Sequence, residues 1–76
     1  MFNKNLFCER LKFLRTSQGL TLEQLGTVFS VTKQTVSRWE TGDRLPPLNV
    51  AYELAEYFNV STDYLLGRSE NHKINE

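Results

Sequence analysis

Apolar positions recur along this 76-residue chain at helical spacing, interrupted by small and turn-forming residues. From Lys4 to Ser17, the residues Phe7, Leu11 and Leu14 fall on one stripe, and Gly19 beyond them suits the left-handed conformation that ends a helix. Leu22, Leu25, Gly26, Val28 and Phe29 share an apolar arc of roughly 160° on a second helix. Its start is marked by Thr21 as a capping hydroxyl and by Gln24 as the return partner of a capping box. Ser30 and Val31 leave room only for a tight turn, after which Thr32 caps a third helix. Pro46 and Pro47 make Asp43 to Pro47 a loop, since helix is forbidden until Pro47 can occupy a first turn. Leu48, Ala51, Leu54, Ala55 and Phe58 predict a fourth helix with one apolar face, ended by Asn59. Ser61 or Thr62 opens a short fifth helix running to Leu66, with Gly67 after it. Residues 1–67 thus form one domain, and 68–76 read as a polar, flexible tail.

Gly26 stands inside the apolar arc of the second helix, where glycine costs roughly 1 kcal/mol against alanine. Close approach of the next helix is the physical reason to have it there. Two capped helices joined by so short a turn must cross steeply, the helix-turn-helix arrangement.

On the third helix, Lys33, Gln34, Ser37, Arg38 and Thr41 fall within roughly 140° of arc, and no carboxylate lies among them. A solvated helix face has the same charge pattern. What distinguishes this one is its setting after a helix and a tight turn, together with side chains whose donors and acceptors match purine edges in a major groove. The formal net charge of zero conceals an asymmetry. Residues 1–44 carry a net charge of +3 and residues 45–76 a net charge of −3, so one end suits phosphate and the other points away from it.

At this length, and with 39% hydrophobic residues, the chain can build one small core but not two. It has no apolar run near the roughly 20 residues of a membrane span and no secretory leader pattern, so the expectation is a cytoplasmic protein with no membrane contact. A single cysteine, Cys8, excludes an internal disulfide, and with a single histidine, His72, no zinc site is expected. There is no nucleophile–base pairing and no glycine-rich phosphate loop, which speaks against an enzyme; no cofactor or small-molecule ligand is indicated. A second ridge on the first helix, Phe2, Leu6 and Phe13, lies nearly opposite the core stripe. Either the tail or last helix covers it, or it contributes to a contact between subunits.

Three segments in order, RLKFLRTSQGLTLEQLG, VTKQTVSRWETG and LPPLNVAYELAEYFNVSTDYLLG, resemble the Cro and phage-repressor (XRE) family of helix-turn-helix domains over about Phe7 to Gly67. The resemblance implies an all-α, compact five-helix bundle of the lambda-repressor-like type, with the helix-turn-helix at helices 2 and 3. It further implies a bacterial or phage-encoded regulator of transcription, most simply a repressor. Such a protein binds double-stranded DNA as a homodimer, formed beforehand or only on the DNA, at a pseudo-palindromic site whose half-sites lie roughly 34 Å apart.

Position by position, the resemblance makes Lys33, Gln34, Ser37 and Arg38 base-contacting residues. For the DNA backbone, Thr21, Leu22 and Thr32 are expected at helix starts where free N–H groups attract anions, Thr35 lies close enough to reach it, Thr41 and Arg44 match family positions that meet it, and Arg10 joins them from its place on the basic half of the chain. Arg15 and Glu40 match a structural ion pair that lets a partly buried carboxylate be tolerated. Three positions depart from the family pattern: Leu22 replaces a phosphate-binding glutamine, Gly26 a packed alanine, and Ser30 the turn glycine, which would strain a serine at positive φ. The alternative reading keeps the fold without the groove contact, as a protein-interaction module or antitoxin with weak or no sequence-specific DNA binding.

Overall fold

The computed structural model describes residues 1–73, and among these it contains five helices: α1 (Lys4–Ser17), α2 (Leu22–Val28), α3 (Lys33–Thr41), α4 (Leu48–Tyr57) and α5 (Thr62–Leu65). Four helices begin where a polar side chain takes up an otherwise unbonded backbone N–H. Asn3, Thr21, Thr32 and Ser61 each accept from the residue three positions on, and Gln24 returns a bond to the Thr21 N–H at 2.8 Å. Pro47 precedes α4 as a cap residue without a side-chain bond, one position outside the first turn.

Four of the helices close in the same way. In α1, the Leu20 N–H bonds the Arg15 carbonyl and the Gly19 N–H bonds the Thr16 carbonyl, and equivalent pairs end α2, α4 and α5. This closure sets one residue in the left-handed region, and those residues are Gly19, Ser30, Asn59 and Gly67. Ser30, at φ 58, is the least suited of them, so the turn between α2 and α3 carries the strain expected for a serine where glycine is at ease.

Phe7 and Leu11 of α1, Leu25 of α2, Val36 and Trp39 of α3, Leu54, Ala55 and Phe58 from the α4 region, and Val60 and Leu65 pack into one buried cluster. Leu48 is not part of it. The α4 periodicity placed Leu48 on the inward face, yet it is 82% exposed, because the core ends at Ala51 and the first turn of the helix projects past it.

The segment after α5 also departs from expectation. Residues 68–73 fold back instead of fraying: the Ser61 N–H bonds the His72 carbonyl at 2.9 Å, and the Arg68 N–H bonds the Asp63 carbonyl at 2.7 Å. The last part of the expected tail, residues 74–76, lies outside the described residues. No helix among the described residues is long and apolar enough to cross a membrane.

Candidate nucleic-acid interface

The α2–α3 unit is assembled by backbone contact. A Cβ placed on Gly26 would lie 2.6 Å from the Val31 carbonyl oxygen and 3.2 Å from the Thr32 carbonyl carbon. The close neighbours are therefore Val31 of the turn and Thr32, the cap residue that opens the next helix, whose approach the glycine's position suggested. The Val31 N–H bonds the Gly26 carbonyl at 2.9 Å, which locks the turn against the same residue.

With α3 held there, Val36 and Trp39 face the core and the opposite side is left to solvent. Lys33, Gln34, Arg38 and Thr41 are exposed and Ser37 is half-buried beside them. Among the described residues the salt bridges are Arg10–Glu70 and Arg15–Glu40, so Lys33 and Arg38 are unneutralised. At the start of α3 the Thr32 hydroxyl accepts from the Thr35 N–H at 3.1 Å and lies 3.0 Å from the Thr35 hydroxyl. At its end, the Thr41 hydroxyl donates to the Arg38 carbonyl at 3.2 Å, and the exposed Arg44 is anchored by its own N–H on that carbonyl at 3.2 Å. Thr21 is exposed at the start of α2, and Leu22 is half-buried with its side chain against the core.

Arg15 and Glu40 brace α3 from behind. Arg15 Nε lies 2.6 Å from Glu40 Oε2 and Nη2 lies 3.2 Å from Oε1, a two-pronged contact. Arg15 Nη1 also donates to the Leu20 carbonyl at 2.6 Å, so one guanidinium joins α1, the α1–α2 turn and α3. The two side chains are only 11% and 6% exposed. Nearby, the Cys8 thiol donates to the Trp39 carbonyl at 3.3 Å, and burial pushes its pKa above the ordinary thiol value.

A helix-turn-helix family model matches residues 11–65. The chain belongs to the XRE-type helix-turn-helix family. That family is one of DNA-binding transcriptional regulators and not of enzymes. The chain is 35% identical over 66 residues to the uncharacterised HTH-type transcriptional regulator YobD of Bacillus subtilis (strain 168), covering 87% of this chain and 59% of YobD. It is 36% identical over 64 residues to the HTH-type transcriptional activator BcrR of Enterococcus faecalis, covering 84% of this chain and 31% of BcrR. The chain thus spans between about a third and three fifths of the length of these relatives. Among solved structures it is similar to the P22 c2 repressor protein in complex with a synthetic operator, with TM-score 0.76 and 26% identity over 84% of this chain and 97% of that one.

In this helix-turn-helix protein, one residue expected at the interface lies elsewhere. Arg10 was placed with the phosphate contacts on the strength of its position on the basic half of the chain. It is buried: Nη1 bonds the Tyr64 carbonyl and, at 2.8 Å, the Ser69 carbonyl; Nη2 meets Glu70 at 2.8 Å; and the guanidinium lies 4.1 Å from the centre of the Tyr64 ring. Three of its five donors are bonded to α5 and the segment after it, and its burial places it away from the exposed face of α3. Conversely, Lys4 had no place in the expected set, yet its Cδ and Cε lie 3.2 and 3.1 Å from the position of a Gly42 Cβ. The stem of Lys4 therefore lies over the C-terminal end of α3, where a cation is favoured by the helix dipole. No local pattern relates residues so far apart in sequence.

The apolar ridge of α1 is also broken up. Leu6 is half-buried and packs against Gly67, while the Phe2 ring tilts onto Phe7 at 6.3 Å between centroids. Phe2 and Phe13 remain 48% and 62% exposed, but Phe2 precedes the cap of α1 while Phe13 lies near its other end.

Proposed function

We propose that this chain is a sequence-specific double-stranded DNA-binding regulator that inserts α3 in the major groove and acts as a repressor, two copies occupying a pseudo-palindromic operator. The observation that carries the reading is the exposed, unneutralised Lys33, Gln34 and Arg38 face on a helix braced from behind by the Arg15–Glu40 pair. Gln34 offers an amide suited to two bonds with adenine, and Arg38 a fork suited to the O6 and N7 acceptors of guanine. Ser37, set lower on the same face, contacts a base edge between them.

Thr21, Leu22, Thr32, Thr35, Thr41 and Arg44 position the backbone, with Lys4 added at the end of α3. Leu22 contributes only its N–H, and the Thr41 hydroxyl must exchange its bond to Arg38 for one to phosphate. Repression follows from binding alone, because occupancy of an operator excludes polymerase without any contact to it. The similarity to an operator-bound repressor supports this reading, while the similarity to an activator makes transcription output a necessary measurement.

The test is selection of bound fragments from random duplexes at two salt concentrations, followed by variants on the enriched site. Arg38→Ala should relax preference at one base pair by about 1–3 kcal/mol, whereas Arg44→Ala should weaken binding evenly across sequences and reduce the salt slope by about 1. Equal losses on every sequence for Arg38→Ala remove it from the readers. Weak retention without an enriched two-fold motif favours the protein-interaction module or antitoxin instead.

A further inference from the structure

The C-terminal ends of α2 and α4 lie side by side, bridged by the Phe29 and Tyr57 rings, which meet edge to face at 5.9 Å between centroids. A groove runs between them. Phe29 and Val50 line it half-buried, while Val28 and Tyr57 at its sides stay 46% and 41% exposed. Glu53 and Glu56 stand along the α4 wall, and among the described residues no basic side chain lines the groove. Its lining on α4 runs from Asn49 to Tyr57, about 12 Å of helix.

The charges around this groove all have one sign. A helix C-terminus carries a partial negative charge that a cation in the last turn would offset, and neither α2 nor α4 has a basic residue there. Among the described residues neither Glu53 nor Glu56 takes part in a salt bridge; Glu56 instead accepts from the Tyr52 hydroxyl at 3.2 Å. Two carboxylates and two helix ends therefore face one apolar groove with no cation opposite them.

We propose that the α2–α4 groove docks a basic amphipathic helix of another protein. Its aliphatic anchors, spaced three or four positions apart, lie against Val28, Phe29 and Tyr57, and its lysines or arginines meet Glu53 and Glu56. Charge selects this occupant. Nucleic acid and acidic proteins are repelled by the same carboxylates that would hold a cation. A second copy of this chain fits poorly: its exposed Phe13 has Lys12 beside it, but Glu9 stands one turn earlier on the same side of α1. The small apolar area suits a transient contact rather than a permanent complex. Ser30, at one end of the groove, is three residues from Lys33, at most about 11 Å, so the docked helix lies beside the start of α3. The groove lining includes none of the α3 polar arc, and the inference does not rest on the DNA-binding reading.

The test titrates the isotope-labelled full chain, without DNA, with a synthetic helical peptide of about twelve residues, long enough to span the groove, carrying leucines on one face and lysines on both flanks. Amide resonances of Val28, Phe29, Val50, Glu53 and Tyr57 should shift together and saturate. Binding should weaken at least tenfold when the peptide's lysines become glutamates, when its leucines become serines, and in the chain carrying Glu53→Gln with Glu56→Gln. Both glutamates are exposed, so the double variant keeps its fold, which circular dichroism checks. Val28→Ser is the second variant and should weaken binding severalfold through lost apolar contact alone. Undiminished binding in both variants, equal binding by the serine peptide, or shifts that gather at Leu48 and Tyr52 instead overturns the proposal. Concentration-dependent shifts of the same amides in the peptide-free chain, together with Phe13, assign the groove to a second copy and overturn it equally. With no DNA present, none of these outcomes bears on the DNA-binding reading, which stands or falls on the fragment selection.

Discussion

Replacing Glu40 with alanine tests whether the pair behind α3 holds that helix in place. The carboxylate is 6% exposed and accepts two bonds from Arg15, at 2.6 and 3.2 Å. Its removal strands a guanidinium that is 11% exposed and keeps one bond, to the Leu20 carbonyl. Breaking a fully buried pair from one side costs about 3–5 kcal/mol. Here one edge of the pair reaches solvent and Arg15 retains a partner, so about 2–3 kcal/mol is expected for Glu40→Ala. Arg15→Ala should lose about 3 kcal/mol, since the Leu20 carbonyl also goes unbonded. For a domain of this size, each kcal/mol lowers Tm by roughly 4–8 °C, so either variant should melt more than about 8 °C early. The double variant should be little worse than Arg15→Ala alone, giving a coupling near 2 kcal/mol in urea or thermal unfolding followed by circular dichroism. Additive losses, with coupling below about 0.5 kcal/mol, would mean that the contact stabilises nothing and that α3 is held by Val36 and Trp39 alone.

Gly26→Ala should lower stability by about 1 kcal/mol, because the helix-propensity gain of roughly 1 kcal/mol is outweighed by overpacking of about 1–3 kcal/mol against the Val31 carbonyl. A raised Tm would show that the turn yields freely. Arg10→Ala should release residues 68–73, read as faster amide exchange at Ser61 and Arg68, with half-site DNA affinity unchanged; lost affinity would return Arg10 to the interface. Cys8 should react slowly with thiol reagents in the folded protein at neutral pH, since burial raises its pKa. The sign of the linkage is that the buried neutral thiol favours the fold at low pH. Stability from this group is thus full below the unfolded thiol pKa of about 8.5 and lost as pH rises through the higher folded value. A Cys8→Ser variant with the same alkaline loss of stability would refute that origin.

The local part of this molecule is written in its order of residues. Thr21 with Gln24, Thr32, and the left-handed positions Gly19, Asn59 and Gly67 mark where helices start and stop, because caps depend on residues three to six positions apart. The polar arc of α3 is equally visible, since spacing around a helix needs no knowledge of its neighbours. Leu48 shows the limit of such spacing: periodicity names a face but not where along the helix the core stops. Arg10 shows another, as its partners Tyr64, Ser69 and Glu70 lie 54 to 60 positions away and carry no pattern pointing back to it. Charge counting set Arg10 beside the other cations, whereas packing of α1 on α5 turned it inward.

What sequence alone determined, then, is the set of helices, their caps and the polar arc of Lys33, Gln34, Ser37, Arg38 and Thr41 on α3. Tertiary structure alone decided which cations remain free, that Lys4 comes to lie over the end of α3, and that Leu45, Leu48 and Tyr52 stay uncovered. The physical reason is range. Backbone bonding and side-chain periodicity act over a few residues, while burial and ion pairing follow from which distant surfaces meet when a small chain closes around one core.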